Sequence, residues 1–304
     1  MGAGHGHGHP PAAHAGSRHR WRLLLAFGLV AAFFVVELVT GLLSGSLALV
    51  SDAGHMAADV VALGAALVAT KIATRPDRSG RRTYGSYRAE IFASGLTVLL
   101  MLGVALFVVV EAISRIGEDV DVATTPMLVV GALGLLVNVV SMLLLRGGAQ
   151  ESLNVKGAYY EVVADTAGSV GVLVAGALVA ATGSASWDTV VALLIGGFVA
   201  VRAVVLGRQV MAVLGQHVPA GVDIDAVAAD LASVPGVDDV HDLHAWTLTS
   251  GMHVATAHLV LEEGADADEV LRSGQQVLRE NHGMEHATLQ VEARMTKHCS
   301  EVSW

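Results

Sequence analysis

Asp52, His55 and Asp59 lie in one strongly apolar stretch of this sequence, and Glu161 and Asp165 lie in another. Ionisable groups at membrane depth are costly, so each such residue is a functional candidate. The spacing narrows the chemistry. His55 and Asp59 are four residues apart, as are Glu161 and Asp165, so each pair projects from one face of a helix. Two such faces brought together offer one imidazole nitrogen and up to three carboxylates, enough for a tetrahedral divalent-cation site. The plainer alternative is a set of buried polar groups satisfied by neighbouring helices, or pore-lining groups that hold no metal. Glu37, Glu111 and Asp188 stand alone or near segment ends, which suits pairing with Arg or a packing role. Asn138 suits a bond to an adjacent helix.

These residues require long apolar helices to carry them. The chain has 304 residues, 53% of them hydrophobic and 15% charged. Soluble domains carry about 25% charged residues, so the composition points to a membrane-embedded chain. Six stretches are long enough to cross a hydrocarbon core of about 30 Å. They are Leu23–Leu43, Leu47–Thr70, Ile91–Ile113, Pro126–Leu145, Ala158–Thr182 and Trp187–Leu206, the sixth being the weakest because of Asp188 and Arg202. Segments one and two meet at the tight turn Ser44-Gly45-Ser46. A cleaved signal over Arg18–Leu42 is the alternative for segment one, but Glu37 and the further segments favour a spanning helix.

Lys and Arg cluster before segment one, between two and three, between four and five, and after six, which places both termini in the cytoplasm. In that orientation Asp59 falls about 18 Å below the outer face and Asp165 about 11 Å above the inner one, nearly level with each other. Glu161 comes out shallower, so the fifth helix should begin before residue 158. The charge is also split along the chain. Residues 1–208 hold 14 Lys/Arg and 13 Asp/Glu, whereas 209–304 hold 4 and 15. The acidic tail reads as a compact α/β domain: a helix over Asp223–Val234, strands over Val240–Leu248 and His253–Leu261, a helix over Asp266–Asn281 and a strand over His286–Ala293.

The run Gly45–Asp59, with Ser51-Asp52-Ala53-Gly54-His55 at its centre, resembles the second-helix signature of the cation diffusion facilitator family. Thr83–Glu90 resembles that family's approach to helix three, and Leu153–Gly171 its fifth-helix motif. The likeness covers about residues 21–295. It implies a transporter rather than an enzyme: a homodimer with an all-α six-helix transmembrane bundle and a small cytoplasmic αββαβ domain of metallochaperone-like, ferredoxin-type fold. It also implies that His55, Asp59, Glu161 and Asp165 bind the transported metal, which is exchanged for protons. Zinc-transporting relatives commonly carry His-x-x-x-Asp on both helices, and Glu161 stands where the second His would be. The donor set is thereby harder, although His55 still favours Zn²⁺ or another borderline cation (Cd²⁺, Co²⁺, Mn²⁺, Fe²⁺) over Mg²⁺ or Ca²⁺.

The same likeness divides the chain into a His-rich disordered tail at 1–20, a membrane domain at 21–208, a metal-binding and dimerisation domain at 209–295 and a tail at 296–304. In the cytoplasmic domain His241, His258 and Glu292 fall where relatives carry metal ligands, with His244, His286, His298 and Cys299 as further donors. His5, His7, His9, His14 and His19 form a tract suited to weak metal capture, or an inert tail. A single Cys excludes a disulfide framework, and a net charge of −10 argues against nucleic acid as a partner. No phosphate loop, nucleotide fingerprint or nucleophile triad stands out, so no organic cofactor is expected. The expected activity is export of a divalent metal from a bacterial cytoplasm across the inner membrane in exchange for protons. A passive cation channel and a membrane-tethered metal sensor are the competing readings.

Overall fold

A computed structural model describes residues 13–73, 83–84, 86–118, 120–146, 153–249 and 251–293; for 13–23, 62–63, 65–67, 69–73 and 153–158 it describes the backbone alone. All six apolar segments are helices: α1 (Ala13–Ser44), α2 (Leu47–Ala73), α3 (Ala89–Ser114), α4 (Thr124–Arg146), α5 (Leu153–Thr182) and α6 (Ser186–Leu214). Among the described residues, five of them contain stretches long and apolar enough to cross a membrane. The remaining one, α2, is 27 residues long and so extends about 40 Å; it is the helix that carries Asp52, His55 and Asp59. Helix α5 does begin before residue 158, as the depth of Glu161 required. Helix α6 runs past Leu206 to Leu214, and α1 already includes His14 and His19.

The packing is that of a bundle in lipid. Large apolar side chains such as Leu43, Leu99, Leu106 and Leu194 face outward, whereas Ser51, Asp52, His55, Asn138, Ser141 and Ser169 are buried. Lipid tails are as apolar as leucine, so burying leucine drives nothing there, and small residues that let helices approach take the contacts instead. Helices α1, α4 and α5 meet in this way: a Cβ at Gly134 would lie 2.8 Å from the Phe33 ring, and one at Gly176 would lie 2.9 Å from Leu128.

One end of the bundle is held by a single carboxylate. Gly45 takes a φ of 70° in the turn between α1 and α2, a conformation glycine adopts without steric cost. Asp188, wholly buried at the start of α6, accepts hydrogen bonds from Ser46 Oγ (2.6 Å), Leu47 N (2.6 Å) and Ala48 N (3.2 Å). It thus satisfies the otherwise unpaired first amides of α2 and sits at the positive end of that helix. Arg115 lies 3.6 Å from Asp188, donates to Gly45 O at 2.8 Å and pairs with Glu111 at 3.1 Å. The roles expected for Glu111 and Asp188 are those found.

The polar tail folds as expected: α7 (Ile224–Ala232), β1 (Val237–Thr249), β2 (Met252–Leu261), α8 (Ala267–His282) and β3 (His286–Glu292). Both helices start on an aspartate N-cap, Asp223 and Asp266, each accepting from two first-turn amides. Strands β1 and β2 pair antiparallel, and β2 and β3 pair parallel through the α8 crossover, giving the order β1-β2-β3. The core beneath the sheet is Val227, Leu231, Leu259, Leu278 and Met284. Gly274 lets α8 close onto it, since a Cβ there would lie 2.9 Å from Leu289 Cδ1. By contacts the chain forms two compact units, Met1–Gly64 with Leu96–Val205, and Ala65–Gly95 with Leu206–Trp304.

The cap on α2 yields a first prediction. Asp188→Ala leaves Leu47 N and Ala48 N buried without an acceptor and Arg115 without its buried partner, which should cost about 3 kcal/mol. Thermal unfolding in detergent should show a large drop in midpoint, and Ser46→Ala a much smaller one.

Candidate functional site

Helix α2 turns His55 and Asp59 toward Asp165 on α5, and one donor atom from each lies within 4.8 Å of the others. His55 Nε2 is the central atom, 3.3 Å from Asp165 Oδ1 and 3.8 Å from Asp59 Oδ2. His55 and Asp165 are buried, and Phe198 of α6 meets the imidazole edge-on at 6.0 Å. Among the described residues, Asp59 Oδ2 and Asp165 Oδ1 have no hydrogen-bond donor. Buried polar atoms are normally satisfied. Two carboxylate oxygens without donors, beside one imidazole nitrogen, are what a borderline divalent cation would satisfy.

Glu161, expected as a fourth donor, is placed differently. It stands at the half-exposed rim of the cluster, and its Oε2 accepts a 2.6 Å hydrogen bond from Arg202 Nη2. The physical reason is a cation the sequence reading had set aside. Arg202 was read as a charge near the end of segment six and as a topology marker, but with α6 running to Leu214 it stands about 24 Å from the helix start, well inside the element. Its other nitrogen, Nη1, lies 3.0 Å from His55 Nε2, and Nη2 lies 3.8 Å from Asp59 Oδ1. The guanidinium also sits 5.9 Å from the Phe198 ring centre. A guanidinium only donates, so this contact is a hydrogen bond in the tautomer that carries its proton on Nδ1, with Nε2 as the acceptor. The signal that could have found Arg202 was available: an arginine inside an apolar segment warrants the scrutiny given to an aspartate.

Around this cluster the buried polar groups continue. Glu37 on α1 and Asp52 on α2 are both buried, and neither Glu37 oxygen has a hydrogen-bond donor among the described residues. A Cβ at Gly168 of α5 would strike Asp52 Oδ1, so the glycine lets α2 and α5 approach here without displacing that carboxylate. Asn138 donates to Ser169 Oγ across α4 and α5 at 3.1 Å, the neighbour bond expected of it.

A second cluster lies on the cytoplasmic-domain sheet. His241 and His258 are directly paired across β1 and β2, with ring centres 5.1 Å apart. Glu292 of β3 joins them: Oε1 is 2.9 Å from His258 Nδ1 and Oε2 is 3.8 Å from His241 Nε2. The three form a second group able to hold a metal ion. Asp242 was missed by the sequence reading. The ladder is irregular between His241 and His244, and Asp242 adopts a φ of 51° there. This turns its carboxylate to within 2.9 Å of His244 Nε2 and 3.7 Å of His258 Nε2. A bulge re-aims a side chain in this way, and alternation along a strand does not disclose it. His286 is exposed at the start of β3, outside the cluster. His5, His7, His9, His298 and Cys299 lie outside the described residues.

Comparison with known proteins shows the family of the chain. The cation efflux transmembrane domain matches residues 23–214, and the cytoplasmic domain of cation efflux proteins matches residues 219–294. The chain is 42% identical over 293 residues to the metal cation efflux system protein CzcD of Cupriavidus metallidurans, covering 96% of this chain and 90% of that one. It is 32% identical over 298 residues to a cadmium, cobalt and zinc/H(+)-K(+) antiporter of Bacillus velezensis, covering 96% and 94%. It is 34% identical over 290 residues to the zinc transporter ZitB of Escherichia coli, covering 95% and 92%. Among solved structures, the metal-bound C-terminal domain of the CzcD transporter is 38% identical; the match covers 23% of this chain and 99% of that one, with a TM-score of 0.23.

The geometry of the bundle cluster predicts that Asp165→Ala weakens binding of a probe ion there at least tenfold, an estimate of about the scale lost when metal-site contacts are removed. Cobalt(II), followed by its visible absorption in a His241→Ala/His258→Ala background with His5, His7, His9, His14, His19, His298 and Cys299 also replaced by Ala, reads this cluster; Asn138→Ala should leave the signal nearly unchanged.

Proposed function

The chain belongs to the cation efflux, or cation diffusion facilitator, family, and from that premise we propose that it carries Zn²⁺ or a similar borderline divalent cation out of the cytoplasm in exchange for protons. It is an integral membrane metal transporter rather than an enzyme. The observation that carries the finer reading is the convergence of His55, Asp59 and Asp165 donors within an apolar bundle. The cation binds to these three, with Glu161 at the rim. It leaves its hydration shell for one nitrogen and two carboxylates, whose negative charge offsets the cost of desolvating a doubly charged ion. When the ion departs, carboxylates in low dielectric favour protonation, so protons and metal compete for the same atoms and the two flows are coupled without a separate device. The potential contributes about 2.3 kcal/mol per charge per 100 mV, and the proton gradient about 1.4 kcal/mol per pH unit. Rocking of the helices exposes the site to each side in turn.

The acidic cytoplasmic domain extends this reading. His241, His258 and Glu292, with Asp242 and His244 beside them, bind metal when its cytoplasmic concentration rises. Ion binding there tightens a homodimer formed through this domain. The histidine tract at the N-terminus, His5 to His19, gathers metal near the entry. Both termini face the cytoplasm of a bacterium, and the bundle spans its inner membrane.

Purified protein in proteoliposomes should accumulate zinc against its gradient when a pH difference is imposed and stop when the difference is collapsed. Asp59→Ala and Asp165→Ala should each lose transport. Zinc flux that only follows its own gradient would make the protein a channel. Unaffected transport by either variant would refute the site. Glu292→Gln should retain transport but lose the dependence of dimerisation on zinc, measured by sedimentation.

A further inference from the structure

Arg202 brings a permanent positive charge into a site built to receive one. Resting on the transport reading above, we propose that Arg202 is an internal cation that competes with the cargo: it occupies the lone pair of His55 when no metal is bound, and withdraws onto Glu161 when metal enters.

Three observations carry this. The first is atomic exclusion. Arg202 Nη1 sits 3.0 Å from His55 Nε2, the atom that also faces Asp165 at 3.3 Å and Asp59 at 3.8 Å. That nitrogen has one lone pair, so it accepts the guanidinium or a metal ion, not both. The second is a parking place. Nη2 already lies 2.6 Å from Glu161 Oε2, and a charged hydrogen bond of this kind is among the strong ones. The Glu161 and Arg202 side chains keep 46% and 26% of their surface accessible, so the guanidinium has room to shift toward the rim, away from the buried His55 and Asp165. The third is charge. Asp59, Asp165 and Glu161, taken as ionised, together with Arg202 leave two net negative charges, which one divalent cation neutralises. Without Arg202 the same set would be overcharged toward the ion and would hold it more tightly.

Glu161 then has a role other than ligation. It replaces a nitrogen donor in the fifth helix but serves the arginine, and the cargo contacts His55, Asp59 and Asp165. A carrier must release what it binds, and an arginine that returns to His55 as the ion leaves favours release.

The test is the half-saturating zinc concentration (KM) and the turnover rate (kcat) of the full chain in proteoliposomes. Arg202→Gln should lower KM about tenfold or more, the scale of one charged hydrogen bond, and lower kcat as release slows. Arg202→Lys keeps the charge but cannot bridge two acceptors at once, so its KM should fall between the two; it also serves if the neutral variant does not fold. Glu161→Gln should raise KM in the Arg202 background, because the guanidinium loses its alternative partner, and should leave KM unchanged in the Arg202→Gln background. An unchanged or raised KM in both Arg202→Gln and Arg202→Lys overturns the proposal. A Glu161→Gln effect of equal size in both backgrounds also overturns it, making Glu161 a ligand. Asp165→Asn separates this from the underlying reading: transport surviving that change means the site itself is misplaced, whatever Arg202 does.

Discussion

A charge held in oil must have a partner, and that constraint organises the membrane part of this protein. His55, Asp59, Asp165, Glu161 and Arg202 come from three helices, α2, α5 and α6, and they meet because no one of them is affordable alone at that depth. The surrounding residues serve the meeting. Gly168 lets α5 approach Asp52 of α2, and Phe198 packs against both the imidazole and the guanidinium. Leucine and valine are left on the outside, where lipid accepts them.

The same constraint explains what was legible in the sequence. The six helices were readable because a membrane imposes long apolar runs, and the paired acids were readable because four-residue spacing puts them on one helical face. The αββαβ order of the tail was readable from its alternation and from aspartates at the helix starts. Arg202 was not, since a basic residue near a segment end looks like a topology marker until the true end of the helix is known. Glu161 could not be assigned a partner for the same reason: what it touches lies 41 positions away on a helix whose facing is set by packing. Asp242 was hidden differently. Strand alternation predicts which face a residue occupies only while the ladder is regular, and here it is not.

The two metal-capable clusters are built in opposite ways. In the bundle, helices supply the donors, and apolar walls make any unpaired charge expensive. On the cytoplasmic domain, three strands place His241, His258 and Glu292 side by side on one partly exposed sheet. His241 and His258 are only partly buried there, with Glu292 beneath them.

Asp188 has a mechanical meaning beyond its hydrogen bonds. It ties the beginning of α6 to the beginning of α2 through three donors, and further along the same helix Arg202 touches His55. The two helix starts are therefore pinned together, while at the cluster Arg202 bridges His55 of α2 and Glu161 of α5 and can change partners without loosening that end.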